Sequence, residues 1–111
     1  MVEKLTPTER KEALTALTFW NESDKGGSIT KSYQFETFTD AFDFMKQVAE
    51  FIEEINHHPT WTNTHNKVTV ILTTHDAGGV SAKDIALAHH MEKVAYFIFN
   101  RGTIDPSDLI F

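Results

Sequence analysis

The segment from Phe38 to Asn56, FTDAFDFMKQVAEFIEEIN, decides how the rest of the chain must be arranged. Apolar residues at Phe38, Phe42, Met45, Ala49 and Ile52 recur at intervals of three or four, the period of a helix and not of a strand. A second stripe, Phe44, Val48, Phe51 and Ile55, runs beside the first and makes the apolar face wider than one sheet contact needs. That surplus stripe is expected to serve a homo-oligomer, dimer or tetramer. Pro59 disfavours the α conformation in the residue before it, so the helix stops at or just before His58.

Upstream, Thr6, Pro7 and Glu9 form a capping box with proline at the first helical position, which opens a shorter helix carrying Ala13, Leu14 and Leu17. A short strand is read around Phe19 and Trp20. The turn signal DKGG, Asp24 to Gly27, leads into a strand with Ile29, Tyr33 and Phe35 on one parity. Downstream, Trp61–His65 and Val68–Thr74 read as two further strands, with Val68, Val70 and Leu72 forming the apolar side. Ser81 and Asp84 repeat the cap pattern and open a last helix along Leu87, Met91, Val94 and Ile98. The order α-β-β-α-β-β-α predicts an α+β fold, a four-stranded antiparallel sheet with three helices packed on one face.

The 111 residues are read as a single domain, 1–111. A net charge of −6 with no Lys/Arg cluster argues against direct nucleic-acid binding. The absence of cysteine removes disulfides, thiolate nucleophiles and cysteine-ligated zinc together. No apolar run approaches a membrane span and the first residues do not read as a secretory signal, so a cytoplasmic location is expected.

The chemistry gathers in NHHPTW, Asn56 to Trp61, and in TTHDAGG, Thr73 to Gly79. His57 and His58 stand at the helix end, Glu53 is read on the same helical face as His57, and His75 follows a strand where side chains reach into clefts. Three imidazoles suit a metal site, a proton-transfer site, or local packing alone. Zinc would need three convergent neutral rings with an open fourth position. The spacing matches no common zinc pattern, HExxH is missing, and adjacent histidines make awkward ligands. His89 and His90, mid-helix, are assigned no chemistry. For Asp84, a position three residues after a cap is already a sufficient structural role.

Glu53, His57-His58-Pro59, Trp61, Asn66-Lys67-Val68, Thr74-His75, Gly79, Ser81 and Asp84 together resemble the signature of the pterin-4a-carbinolamine dehydratases. Members of that family are also known in animals as dimerisation cofactors of a homeodomain transcription factor. Trp20 and FETFTDAFDFMKQVA are similar to the family as well, so the resemblance covers about residues 5–96 and leaves an extended C-terminal tail, 97–111. It implies a hydro-lyase that dehydrates 4a-hydroxytetrahydropterin to quinonoid dihydropterin, recycling the cofactor of aromatic amino-acid hydroxylases. The resemblance further implies catalysis by His57, His58 and His75 without metal or organic cofactor. Glu53, Asn56, His57, His58, Thr73, Thr74, His75 and Asp76 would bind the pterin, with Trp20 and Asp84 in support. The alternative is a non-catalytic pterin-binding or protein-interaction module. His65 stands where the family usually has an aromatic residue, and is read as a tolerated strand substitution. In the tail, Asp105-Pro106 is read as starting a helical turn that docks Leu109, Ile110 and Phe111.

Overall fold

A computed structural model describes residues 2–23 and 26–101. The helices are α1, Pro7–Leu14; α2, Phe38–Ile55; and α3, Ala82–Asn100. The strands are β1, Asn21–Glu22; β2, Ile29–Gln34; β3, Thr60–Thr64; and β4, Lys67–Leu72. All neighbours pair antiparallel in the order β1-β2-β4-β3. The predicted α+β order holds. The tail reading at Asp105, Pro106, Leu109, Ile110 and Phe111 lies outside the described residues, as do Asp24 and Lys25 of the DKGG turn.

Strand parity explains which side of the sheet is covered. Ile29, Tyr33, Val68, Val70 and Leu72 are buried, whereas the intervening Ser32 and Ile71 are exposed. Over the apolar side lie α2 and α3, and Leu14 of α1 packs at the edge of the same core. Both capping boxes form as read, Thr6 with Glu9 and Ser81 with Asp84. Arg10 is buried with its Nε 2.6 Å from Glu22 Oε1, which ties α1 to β1. Gly26 is required beside it: its φ is +67°, and a Cβ there would meet the guanidinium at 2.3 Å.

The two stripes of α2 do not divide as expected. Phe44 and Val48 are fully buried within one subunit, and Phe51 and Ile55 pack against the same core, so this stripe is no surplus interface. The stripe read as core-facing turns outward at its first two positions, with Phe38 48% and Phe42 54% exposed, and reaches the core at Met45, partly buried, and at Ile52, buried. Both stripes have helical period; only the direction in which β2 delivers the chain separates them. The first strand also shifts. Phe19 takes a left-handed conformation (φ +66°) and is exposed, Trp20 is buried, and pairing begins at Asn21. His65 lies in the β3–β4 turn at φ +52° and not in a strand.

At the edge of the core a polar cluster is built around Glu92 of α3, which accepts from the Tyr33 hydroxyl at 2.7 Å and from Lys31 Nζ at 2.8 Å. Burial, reinforced by that carboxylate, pushes the Tyr33 phenol far above its ordinary value of 10.0. Arg101 donates to Asp40 and Asp43, joining the end of α3 to the start of α2 and lowering the Asp43 carboxyl.

Phe44→Ala is expected to cost about 3–5 kcal/mol in denaturant unfolding, while Phe42→Ala costs under about 1 kcal/mol in the monomer. Equal costs would contradict the face assignment. A group whose folded pKa is raised contributes stability that is full below its unfolded value and lost as pH rises through the folded one. Stability should therefore fall above about pH 10, where the unfolded phenol ionises. In absorbance titration Tyr33 should ionise only with unfolding, a step that Tyr33→Phe removes.

Candidate functional site

Asn56 ends α2 in a left-handed conformation (φ +51°), with its own N–H and that of His57 both directed to the Ile52 carbonyl. Helical geometry therefore stops before His57. That residue turns inward and is 9% exposed, while His58, extended ahead of Pro59, remains exposed. This corrects the pairing expected at the helix end. Glu53 is not the partner of His57; its Oε1 lies 3.8 Å from His58 Nε2, with both side chains mostly in solvent.

The partner of His57 is Asp84, fully buried, with Oδ1 2.6 Å from Nε2. Asp84 Oδ2 accepts from Thr74 Oγ1 at 2.7 Å and from the Ser81 N–H at 2.9 Å. A carboxylate can only accept, so His57 carries a proton on Nε2. The Thr74 hydroxyl is spent on Asp84. Ser81 must then be the donor across the 2.6 Å Thr74–Ser81 contact, and Ser81 Oγ in turn accepts from the Lys83 N–H at 3.2 Å. One buried carboxylate thus aligns α3, the end of β4 and the residue following α2.

His75 reaches the same place by a different route. Thr74 and Gly79 exchange backbone hydrogen bonds of 3.0 and 3.3 Å, closing a small loop in which His75–Ala77 make a 3-10 turn that ends at Gly78 (φ +77°). His75 and Asp76 project from this loop, exposed. A hollow of about 220 Å³ is lined by Asn56, His57, His58, Thr73, Thr74, His75 and Asp76, with Val2 and Lys83 added.

All three histidines and the four other hollow-lining residues read from the sequence therefore meet at one cavity. Glu53 and Trp20 do not line it. Trp20 borders a separate hollow with α1 and β1, and its indole Nε1 is buried without a hydrogen-bond partner among the described residues. Asp84 lies beneath the hollow and acts on it through His57. Val2 and Lys83 escaped the sequence reading. Val2 is brought there because Leu5 N bonds the Val80 carbonyl and Lys4 bridges Ser81. Lys83 did carry a signal, a cation in the first turn of a helix where the dipole disfavours it.

A larger hollow, about 580 Å³ between β2 and α3, is lined by Phe19, Lys31, Tyr33, Glu92, Tyr96 and Phe99 among others. Lys31 and Tyr33 in its lining are both bonded to Glu92. His89 is exposed, and His90 stacks on Phe51 with ring centroids 4.1 Å apart. Burial, with Lys93 nearby, holds His90 below the usual histidine range. Among the described residues no three His, Asp or Glu side chains are disposed to hold a metal ion, and no helix is long and apolar enough to cross a membrane.

The sheet, its three helices and this histidine hollow define a class that comparison with known proteins recovers. The profile described as "Pterin 4 alpha carbinolamine dehydratase" matches residues 3–94. A protein of Rhizorhabdus wittichii, provisionally named pterin-4-alpha-carbinolamine dehydratase, is 46% identical over 94 residues, covering 85% of this chain and 97% of its own. A provisionally so-named protein of Burkholderia pseudomallei is 45% identical over 94 residues, covering 85% and 93%. The crystal structure of a transcriptional coactivator/pterin dehydratase from Brucella melitensis superposes with a TM-score of 0.81 at 43% identity, over 84% of this chain and 99% of that one. A pterin dehydratase-like protein, described as a RuBisCO assembly factor in the alpha-carboxysome, has a TM-score of 0.59 at 22% identity. It covers 68% of this chain and 88% of its own, and shares the fold alone. The chain belongs to the pterin 4 alpha carbinolamine dehydratase family, a family of hydro-lyases.

Asp84→Asn should leave a folded protein that is less stable by about 1–3 kcal/mol, because one buried acceptor is replaced by a donor. Nitrogen-15 NMR of the imidazoles should show His57 losing its Nε2–H tautomer. An unchanged His57 signal would mean that the carboxylate is not its anchor.

Proposed function

We propose that the chain dehydrates a 4a-hydroxytetrahydropterin to the quinonoid dihydropterin by acid–base chemistry of His57, His58 and His75, with no metal. The observation that carries this reading is the shared hollow of three imidazoles, one of them held in a fixed tautomer by a buried carboxylate. In the reaction the C4a–O bond breaks and the N5–H bond loses its proton, while the N5 electron pair forms the C4a=N5 double bond. The departing hydroxyl takes a proton and leaves as water. Both transfers suit imidazole, whose unperturbed pKa of about 6.5 gives usable acid and base forms near neutrality.

Asn56, Thr73 and Asp76 supply polar groups around the rings to bind the pterin's amide and amino edge, with Thr74 beside them in the lining. Thr74 shapes the lining and anchors Asp84, since its hydroxyl donates to Asp84 and its backbone N–H and carbonyl are paired within the loop. Asp84 is a positioning residue: it orients His57 and touches no substrate. Glu53, beside His58, is a support at the rim. A physiological role in recycling the cofactor of aromatic amino-acid hydroxylases, in the cytoplasm, follows from the same reading.

A second reading, an interaction module without catalysis, draws on the outward aromatics Phe38 and Phe42. The same surface suits self-association into a dimer or tetramer, with the exposed aromatics taking the part expected of the Phe44 stripe.

The rate of dehydration of 4a-hydroxytetrahydropterin with purified protein, set against the spontaneous rate, separates the two. Clear acceleration is expected, with a bell-shaped pH profile whose limbs belong to the histidines as a set. His58→Ala and His75→Ala should each lose about 10²–10⁴-fold if each carries a proton in the rate-limiting step. Exhaustive chelation should leave the rate intact. No acceleration would leave the interaction module as the standing reading, and zinc-dependent recovery after chelation would replace the metal-free mechanism.

A further inference from the structure

The geometry points to Lys83 as a specificity-determining residue that favours pterins carrying an anionic side chain, a role that rests on the pterin reading above. The histidine hollow is graded in depth. His57 is buried at its inner end over Asp84, whereas His58, His75, Asp76 and Lys83 are exposed residues of the lining. A ring that reaches His57 occupies the inner end, so its substituent extends among the exposed residues of the lining, where Lys83 stands.

Lys83 suits that place on several independent grounds. It is the second residue of α3, where a cation opposes the positive end of the helix dipole, so helix stability does not account for it. Among the described residues it forms no ion pair within 4 Å, in contrast to Lys31, which is bound by Glu92. Its backbone is fixed relative to the reacting groups, because its N–H donates to Ser81 Oγ in the chain that runs through Thr74 to Asp84. Only the side chain is free to reach. The opposing charge in the lining is Asp76, which disfavours an anion on its own side and so directs one toward Lys83. Asp84 opposes little, since its carboxylate accepts three hydrogen bonds. Val2 offers an apolar lining residue with no polar side chain to compete.

Binding separates this inference from catalysis. Oxidised pterins fluoresce and do not turn over, so the dissociation constants of 6-methylpterin and pterin-6-carboxylate can be measured by titration on the full chain. The wild type is expected to prefer the carboxylate. Lys83→Ala should reduce the preference about threefold, Lys83→Glu about tenfold, and Lys83→Arg should keep it, the scale set by one solvent-exposed ion pair. High salt should weaken the wild-type preference through screening. If both pterins bind and the ratio is the same in all four proteins, Lys83 plays no such part while the pterin reading stands. If neither binds and no dehydration is accelerated, both are overturned.

Discussion

The Asp84 carboxylate is the constraint on which the rest depends. Burying a charge is costly unless its lone pairs are taken up, and here three donors do so: a histidine ring, a threonine hydroxyl and a backbone N–H. Each comes from a different part of the chain. The N–H belongs to the cap of α3, the hydroxyl to the residue that closes the loop after β4, and the ring to the residue that follows α2. Removing any donor would leave the charge less compensated, so the three segments are held in mutual register by one group. The fold's cap and the site's anchor are the same side chain.

Much of this was legible in the residues. The capping boxes, the helical period of α2 and the alternating parities of β2 and β4 are local signals, and local physics decides them. Which stripe of α2 faces inward is not local. Phe38, Phe42 and Met45 have the same period as Phe44, Val48 and Phe51, and only the tertiary path selects between them. Phe19 failed for a related reason: its aromatic ring suggests a strand, but the chain must turn there, and a left-handed residue makes the turn.

The site divides in the same way. His57, His58 and His75 could be singled out because proline and strand-end contexts are written beside them. Pairing Glu53 with His57 assumed that helical spacing continued past Asn56. A left-handed Asn56 breaks that spacing, and the imidazole swings from the helix surface toward a residue 27 positions away. Asp84 had looked fully explained by its cap. One of its oxygens is indeed engaged by the cap, but the other was available to the histidine, and no spacing rule counts both.

The sheet order also bears on how the chain finds this arrangement. β3 and β4 are joined by a tight turn at His65 and Asn66, so their pairing closes a short loop at small entropic cost. β2 must instead pair with β4 across the whole of α2, from Ile29 opposite Leu72 to Gln34 opposite Lys67. Such closure is entropically dearer, but α2 converts 18 residues of that span into a rod of about 27 Å. A rod has far fewer conformations to surrender than a coil of the same length. The long helix that carries the core stripe therefore also shortens the search by which the central strands meet.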